Sequence, residues 1–322
     1  MKNSYRPEGS QVNARENAEY LSCTQGLENA CADGTILEAT ALMCDEDLNL
    51  HFKFGEVEGI MPRDECAYSP DGTEVKDIAV LTRVGKAVCF KVKEIRYTGG
   101  RYVAVLSRRL AQMEFFTEYF DKLRCGDIIP ARVTHLESFG AFIDIGCGVS
   151  SLLSVDSISV SRISHPRDRL RCGMNVSIVV KSIDREMRRI YATQKELLGT
   201  WEENASLFRA GQTVTGTVRS VESYGIFVEL TPNLAGLAEI RVDTEADATS
   251  LIGRQVSVYI KSIIPDRMKI KLVIIDVCKC DKAYEEPKYY IDPESVRHIS
   301  RWRYSPSCSQ RVVESLFDDE SC

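Results

Sequence analysis

The stretch Cys125-Gly-Asp-Ile-Ile-Pro-Ala-Arg-Val-Thr-His-Leu-Glu-Ser-Phe-Gly-Ala-Phe-Ile-Asp-Ile-Gly146 decides the fold, because the chain repeats it. Its echo is Ala210-Gly-Gln-Thr-Val-Thr-Gly-Thr-Val-Arg-Ser-Val-Glu-Ser-Tyr-Gly-Ile-Phe-Val-Glu-Leu230. Gly126 and Gly211, like Phe139 and Tyr224, stand 85 residues apart. Further on, Val176-Ser-Ile-Val-Val-Lys-Ser-Ile183 returns as Val256-Ser-Val-Tyr-Ile-Lys-Ser-Ile263 at an offset of 80, so the second copy has lost five loop residues. A fainter copy lies upstream. The signature hydrophobic-Gly-x-x-Val occurs as Val84 to Val88, Cys172 to Val176 and Ile252 to Val256. Each opens an alternating strand with lysine at its sixth position, Lys93, Lys181 and Lys261. Gly34 to Pro62 reads as the matching upstream hairpin. The chain is a three-unit array.

Each unit reads as strands. Ala141, Ile143 and Ile145 alternate with Phe142 and Asp144, and Val176, Ile178 and Val180 keep the same period of two. Gly140 and Gly225 fall where a hairpin or bulge favours a backbone without Cβ. About 70 residues with some five short strands fit a small closed barrel, because closure removes exposed edges. The period changes between units: Arg108 to Phe120 and Lys195 to Phe208 read as helical connectors. The expected order is an N-terminal segment (1–30), a divergent barrel (31–108), a helical linker (109–124), a barrel (125–195), a second linker (196–208), a barrel (209–276) and a tail (277–322). Met1 to Val12 reads as loose. Asn13 is placed to cap a short helix over Ala14 to Gln25 that Gly26 ends.

Composition narrows the function. Of 322 residues, 44% are hydrophobic and 27% charged, a globular balance with a net charge of −6. Nucleic-acid contact therefore needs local patches. No apolar run approaches the roughly 18 residues of a membrane helix, and the polar N-terminus has no signal-peptide core; a cytoplasmic protein is expected. The 12 cysteines are mostly single and sit in apolar runs, as reduced thiols do in that compartment. Cys278 and Cys280 are too close for a zinc hairpin, so no metal is expected. The four histidines are scattered, no phosphate-binding Gly-Lys loop is complete, and His135-Leu-Glu137 lacks the cysteines of a deaminase. Neither catalysis nor a cofactor is expected.

One feature fits no core. Phe142 shares its strand face with Asp144, and Phe227 shares its face with Glu229, so both rings lie on the polar side. Phe139 and Tyr224 precede them by three residues. Two surface aromatics on a small barrel form a stacking platform for single-stranded bases, since every base has a π-face; cover by a connector or neighbouring barrel is the alternative.

The order Gly-Asp, Val, Ser-Phe-Gly-Ala-Phe-Ile-Asp-Ile-Gly, then the Gly-x-x-Val strand and the Asp184-Arg-Glu-Met-Arg-Arg189 hairpin, resembles the S1-type RNA-binding domain. As an array, the chain is similar to a short bacterial ribosomal protein S1 with three repeats. The resemblance implies tandem five-stranded oligonucleotide-binding (OB-fold) barrels, mainly β and joined by short helices. It implies RNA contact by the hairpin aromatics, a histidine on the third strand, and an acid and a base near the last hairpin. In the second unit these fall on Phe139, Phe142, Asp184 and Arg189, with Ser154 in the histidine's place. In the third they fall on Tyr224, Phe227 and Lys269, with Glu239 for the histidine and Ile264 for the acid. Arg188, Lys181 and Lys261 join the expected RNA-binding set.

Local charge follows the same division. Residues 125–195 carry ten basic and seven acidic side chains, 209–275 eight and seven, and 1–124 sixteen and twenty. The second unit should therefore lead in phosphate contact, with Arg185, Arg188 and Arg189 densest and Arg162, Arg167, Arg169 and Arg171 in a nearby loop. In the first unit Leu48 and His51 replace the aromatics, and Asp45-Glu-Asp47 would repel phosphate, so 31–108 is read as a docking module for the small ribosomal subunit. The tail's Arg301-Trp302-Arg303-Tyr304 either stacks on RNA or packs the tail on the third barrel. The expected function is non-catalytic binding of single-stranded messenger RNA in translation. The alternatives are an RNA-binding regulator independent of the ribosome and a protein–protein adaptor with degenerate barrels.

Overall fold

A computed structural model describes residues 5–70, 72–239, 248–278 and 286–317. Cys280 and residues 1–4 of the expected loose N-terminus lie outside them. The second unit is a closed barrel of Ile128–Glu137, Gly140–Asp144, Ser150–Ser154, Asn175–Asp184 and Arg189–Thr193. Four of its pairings are antiparallel, and a parallel one, Tyr191 to Leu152, closes the ring. The third unit repeats the plan with Thr213–Glu222, Gly225–Thr231, Leu234–Ala238, Gln255–Ile264 and Lys269–Val277. In the first, the opening strand breaks at Ala41–Leu42. Leu37–Thr40 pairs with Ala87–Thr98, while Met43–Cys44 pairs with Leu50–Phe54. Its sheet is thus six segments of a five-strand plan.

The alternation places Ala141, Ile143, Ile145, Ile178 and Val180 inside, each at most 1% exposed. Burying an Ile or Val side chain contributes roughly 1.5–3 kcal/mol. Gly140 and Gly225 answer a cross-strand approach rather than a turn. A Cβ would stand 2.6 Å from Leu153 O at Gly140 and 2.8 Å from Ala238 O at Gly225. Lys93, Lys181 and Lys261 are the extra residues of β-bulges in equivalent strands, so the repeated lysine marks a fixed kink.

The connectors differ from expectation in detail. Ser107 caps the helix Arg108–Glu118 by accepting the Leu110 N–H at 2.9 Å. The second connector is not one helix. Gly199, at φ +84°, separates the short turn Lys195–Leu198 from Trp201–Ala205, which Thr200 and Glu203 start with a reciprocal capping box. At the N-terminus there are two helices, Arg15–Leu21 and Thr24–Asp33. Asn13 caps neither, and Gly26 sits in the first turn of the second, because a Cβ there would lie 2.4 Å from Tyr20 O. Gly34, in the left-handed region, ends it.

Residues 5–12 are not loose. Glu8 is buried at the junction of the first two barrels, where Arg108 Nε donates to it at 2.6 Å, Arg83 at 3.2 Å and the Cys89 N–H at 3.2 Å. The Glu8 N–H donates to Asp144 at 2.7 Å, and Gly146 and Gly148 donate to the other Asp144 oxygen. Burial and the neighbouring Glu8 push the Asp144 carboxyl up to about 7. Burial would raise Glu8 too, but Arg108 and Arg83 hold it below its ordinary value. The next junction uses the equivalent acid, Glu229, 85 residues on. Arg219 donates to it at 2.8 and 3.3 Å, and Arg169 from the second barrel's loop also pairs with it.

The tail packs, but mainly on the second barrel and linker. Ile128 N–H donates to Arg297 O at 2.9 Å, Ile299 N–H to Gly126 O at 2.9 Å, and Trp201 N–H to Tyr304 O at 3.0 Å. On the third barrel it holds through the Cys278 N–H to Gln255 O, 2.9 Å, and Tyr304 Oη to Asn233 O, 2.6 Å. Leu316, near the end of the tail, is 56% exposed. The second and third barrels share one apolar core through Trp201, Ile299, Trp302 and Phe317, whereas most of the first barrel has its own. Among the described residues nine cysteines are free, but Cys125 is disulfide-bonded, against the expectation of reduced thiols throughout.

Two predictions follow from the first junction. Arg108→Met leaves Glu8 buried without its main partner and should cost about 3–5 kcal/mol in urea unfolding, with Glu8→Gln added to it restoring part. Glu38 is fully buried; its Oε2 accepts from Gly9 and Gln11, Oε1 has no partner among the described residues, and burial pushes it from 4.5 up to about 7. Its folded value lies above its unfolded one, so its contribution to stability is full below about pH 4.5 and is lost as pH rises through about 7. Glu38→Gln should therefore gain on the wild type in melting temperature across that window and keep a constant difference above it. A difference that does not vary with pH would refute this.

Candidate nucleic-acid interface

The hairpin glycines let the second strand run tight against the third, and the ring at the next-but-one position then points outward. Phe139 is 54% and Tyr224 66% exposed, while Phe142 and Phe227 are half-buried. Each pair is edge-to-face, Phe139–Phe142 at 6.0 Å and 89°, Tyr224–Phe227 at 6.1 Å and 90°. The same edge-to-face geometry recurs in two units. The Val155 N–H donates to Phe139 O at 2.9 Å and ties the hairpin tip to the end of the third strand.

Strand register brings other predicted residues to this face. Phe142 lies opposite Leu152, Leu152 beside Tyr191, and Tyr191 opposite Ser182. Ser154 lies opposite Gly140 and donates to Ser157 Oγ at 2.8 Å. Asp184 and Arg189 are paired across the last hairpin on the same face as Tyr191; Arg189 is exposed, and Asp184 accepts the Met187 N–H at 2.8 Å. In the third barrel Ile264 and Lys269 occupy that place, and Glu239 is exposed at the hairpin. Lys181 and Lys261 are exposed on their bulges.

Other expected contacts are committed elsewhere. Arg188 lies 5.2 Å over the Phe116 ring of the first connector, and Arg185 donates to the carbonyls of Asp121 and Leu123. Both arginines fasten the hairpin to the linker. Arg169 is spent on Glu229, so part of the 162–171 loop joins barrels. The assumption that Asp144 and Glu229 are solvated fails as well: both are 3% exposed. The outer strand face is polar, but its far end is covered by the preceding unit.

Sequence reading missed two groups. Tyr191 is 43% exposed in the same row as Phe142, with Lys271 at its place in the third barrel; its alternation with the buried Ile190 and Ala192 was the available signal. His135 stacks beside Phe142 at 6.4 Å and 28°, its Nε2 2.7 Å from Glu137. The ring stands at a bulge between Val133 and His135, which hid it from a count by twos. In the first unit the platform is absent: His51 is bonded to Asp45 at 2.8 Å, and that bond holds the Asp45 carboxyl down at about 2. Leu48 occupies the turn at φ +63°.

Residues 122–193 match the family model of the S1 RNA binding domain. Small ribosomal subunit protein bS1 of Leuconostoc lactis is 34% identical over 179 residues, 52% of this chain and 40% of that protein. The bS1 of Staphylococcus aureus strain COL is 31% identical over 211 residues, 62% of this chain and 52% of that protein. A solved multidomain protein with nucleic acid binding domains from Streptococcus pneumoniae aligns over 75% of this chain and 73% of its own, at 14% identity and a TM-score of 0.25. The chain spans about half the length of the curated relatives it matches. It carries an S1 RNA binding domain, set in a row of barrels of one plan, and is similar to small ribosomal subunit protein bS1 over that span.

Proposed function

We propose that this chain is a non-catalytic, cytoplasmic binder of single-stranded RNA, and that the RNA is messenger RNA held at the small ribosomal subunit. The observation that carries the reading is the exposed edge-to-face ring pair, built twice on the same strand register. Bases stack on Phe142 and Phe227 with Phe139 and Tyr224 closing one side. Ser154, Asp184, Arg189 and Lys269 border the stack, and Lys181 and Lys261 add positive potential. Of the expected set, Arg188 is the least available, because Phe116 holds it. The likeness to bS1 supports the ribosomal setting.

A labelled single strand titrated against wild type and Phe142→Ala tests this. The variant should lose on the order of 1–3 kcal/mol, and binding of both should weaken as salt rises. Equal affinities, or no binding at low salt, would leave the rings as surface packing and favour an adaptor.

The first unit fits a docking role. Leu42, Met43, Leu81 and Val84 are 57%, 52%, 46% and 38% exposed, and the Ala41–Val84 bridge joins the two segments that carry them. Such a cluster on a face without stacking rings suits a protein partner. Met43→Glu with Leu81→Glu in the full chain should abolish co-sedimentation with small subunits and leave RNA affinity unchanged. Lost RNA affinity with intact sedimentation would reverse the assignment.

A further inference from the structure

We propose that the cleft between the second and third barrels binds phosphodiester groups of the RNA strand as it passes from one ring pair to the next; this rests on the RNA-binding reading above. The cleft holds about 420 Å³, and five cations line it: Arg167, Arg169, Arg171, Arg219 and Lys288. Two acids account for two of them. Glu229 takes Arg169 and Arg219, and Arg219 also reaches Asp168 at 3.2 Å. Arg167 instead donates to the His165 imidazole at 3.2 Å, and Lys288 lies 6.0 Å over the Tyr290 ring. Neither has a carboxylate partner among the described residues. Arg169 is 11% exposed, and its Nε is buried with no hydrogen-bond partner there. Glu286, the remaining acid of the lining, is exposed.

Buried guanidinium donors without acceptors are costly, and phosphate oxygens are the acceptors that fit them, several at once and with charge assistance. The position suits a strand in transit. Arg219 is the bulge residue beside Ser220, the cross-strand partner of Phe227. The opposite wall includes Ile158, the end of the one-turn helix Val155–Ile158 whose first N–H is bonded to Phe139 O. At a rise of about 1.5 Å per residue, that turn is roughly 6 Å long. The cleft therefore opens close to the hairpin of one platform and beside the ring of the other.

The preceding junction repeats the arrangement, which argues against accident. A cleft of about 470 Å³ there is lined by Arg83, Lys86 and Arg132 together with Glu8 and Asp144, and Glu8 takes Arg83 as Glu229 takes Arg219. Arg83 stands 88 residues before Arg171, and Gly173 of this lining stands 80 before Gly253 of the other. The Arg132 guanidinium lies against Gly9, 3.0 Å from where a Cβ would be. It faces Asp144 across the strands, yet that carboxylate is taken up by three backbone N–H groups.

The test uses the full chain, the double variant Arg167→Gln/Lys288→Gln, and two single strands: one of about 5 nucleotides, within one barrel's site, and one of about 25, long enough for two. Neither substitution removes a buried ion pair. The double variant should bind the long strand several-fold more weakly, with a salt dependence shallower by roughly 1.4 units of slope for two lost phosphate contacts, and bind the short strand as the wild type does. Phe227→Ala should weaken both. If the double variant matches the wild type on the long strand while Phe227→Ala is weakened, the cleft proposal falls and the platform stands. If the wild type binds neither strand, both fall. If inorganic phosphate raises the melting temperature of the wild type but not of the double variant, while RNA affinity is equal, the cleft is a free-anion site and the proposal is overturned.

Discussion

A carboxylate on the outer face of a barrel strand must be solvated or paired, because burying it alone is prohibitively costly. Asp144 and Glu229 are denied water, and everything else about the array depends on how they are satisfied. Each lies two residues past a stacking ring, on the same strand and the same face. Each is met by groups from the unit before it: the Glu8 main chain in one case, the Arg169 guanidinium in the other. One short strand thus both carries the ring outward and seats the neighbouring unit. The attitude of each platform is tied to the joint between barrels, rather than to a hairpin free to move.

Much of this was legible in the sequence, and the reason is local. Alternation in Ala141-Phe-Ile-Asp-Ile145 is dictated by the pleat, so the inward and outward sets follow once a strand is assumed. The 85-residue echo then transfers the reading from one barrel to the next. The ring pairs were visible for the same cause: an aromatic on the polar side breaks a simple pattern.

What was illegible depends on partners distant in the chain. Nothing in Asp144 distinguishes a solvated acid from one bonded to Glu8, 136 residues earlier. Arg188 and Arg189 are adjacent and chemically identical, yet a left-handed turn at φ +49° sends one over Phe116. His135 was lost to a bulge, which shifts the count by one and moves a side chain between faces. The N-terminal helices were misjudged because Gly26 was read as a terminator, when its lack of a Cβ serves the contact with Tyr20. The arginine loop read as a phosphate-contacting patch, and part of its role is structural, since Arg169 pairs with Glu229.

The tail's hold on the second barrel sets an order on synthesis. His298 Nδ1 is bonded to Asp127 at 2.8 Å across 171 positions, beside the Ile128–Arg297 and Ile299–Gly126 bonds. At roughly 5–20 residues per second, translation separates those partners by about 10–30 s. The first joint is ready early, since Glu8, Arg108 and Asp144 are all made by then. At the entry to the second barrel, the Ile128 N–H and the Gly126 carbonyl instead wait for Arg297 and Ile299. Once the third barrel is complete, the Arg169–Glu229 pair already joins it to the second, and the nascent array is assembled from its front while its rear clasp is still unmade.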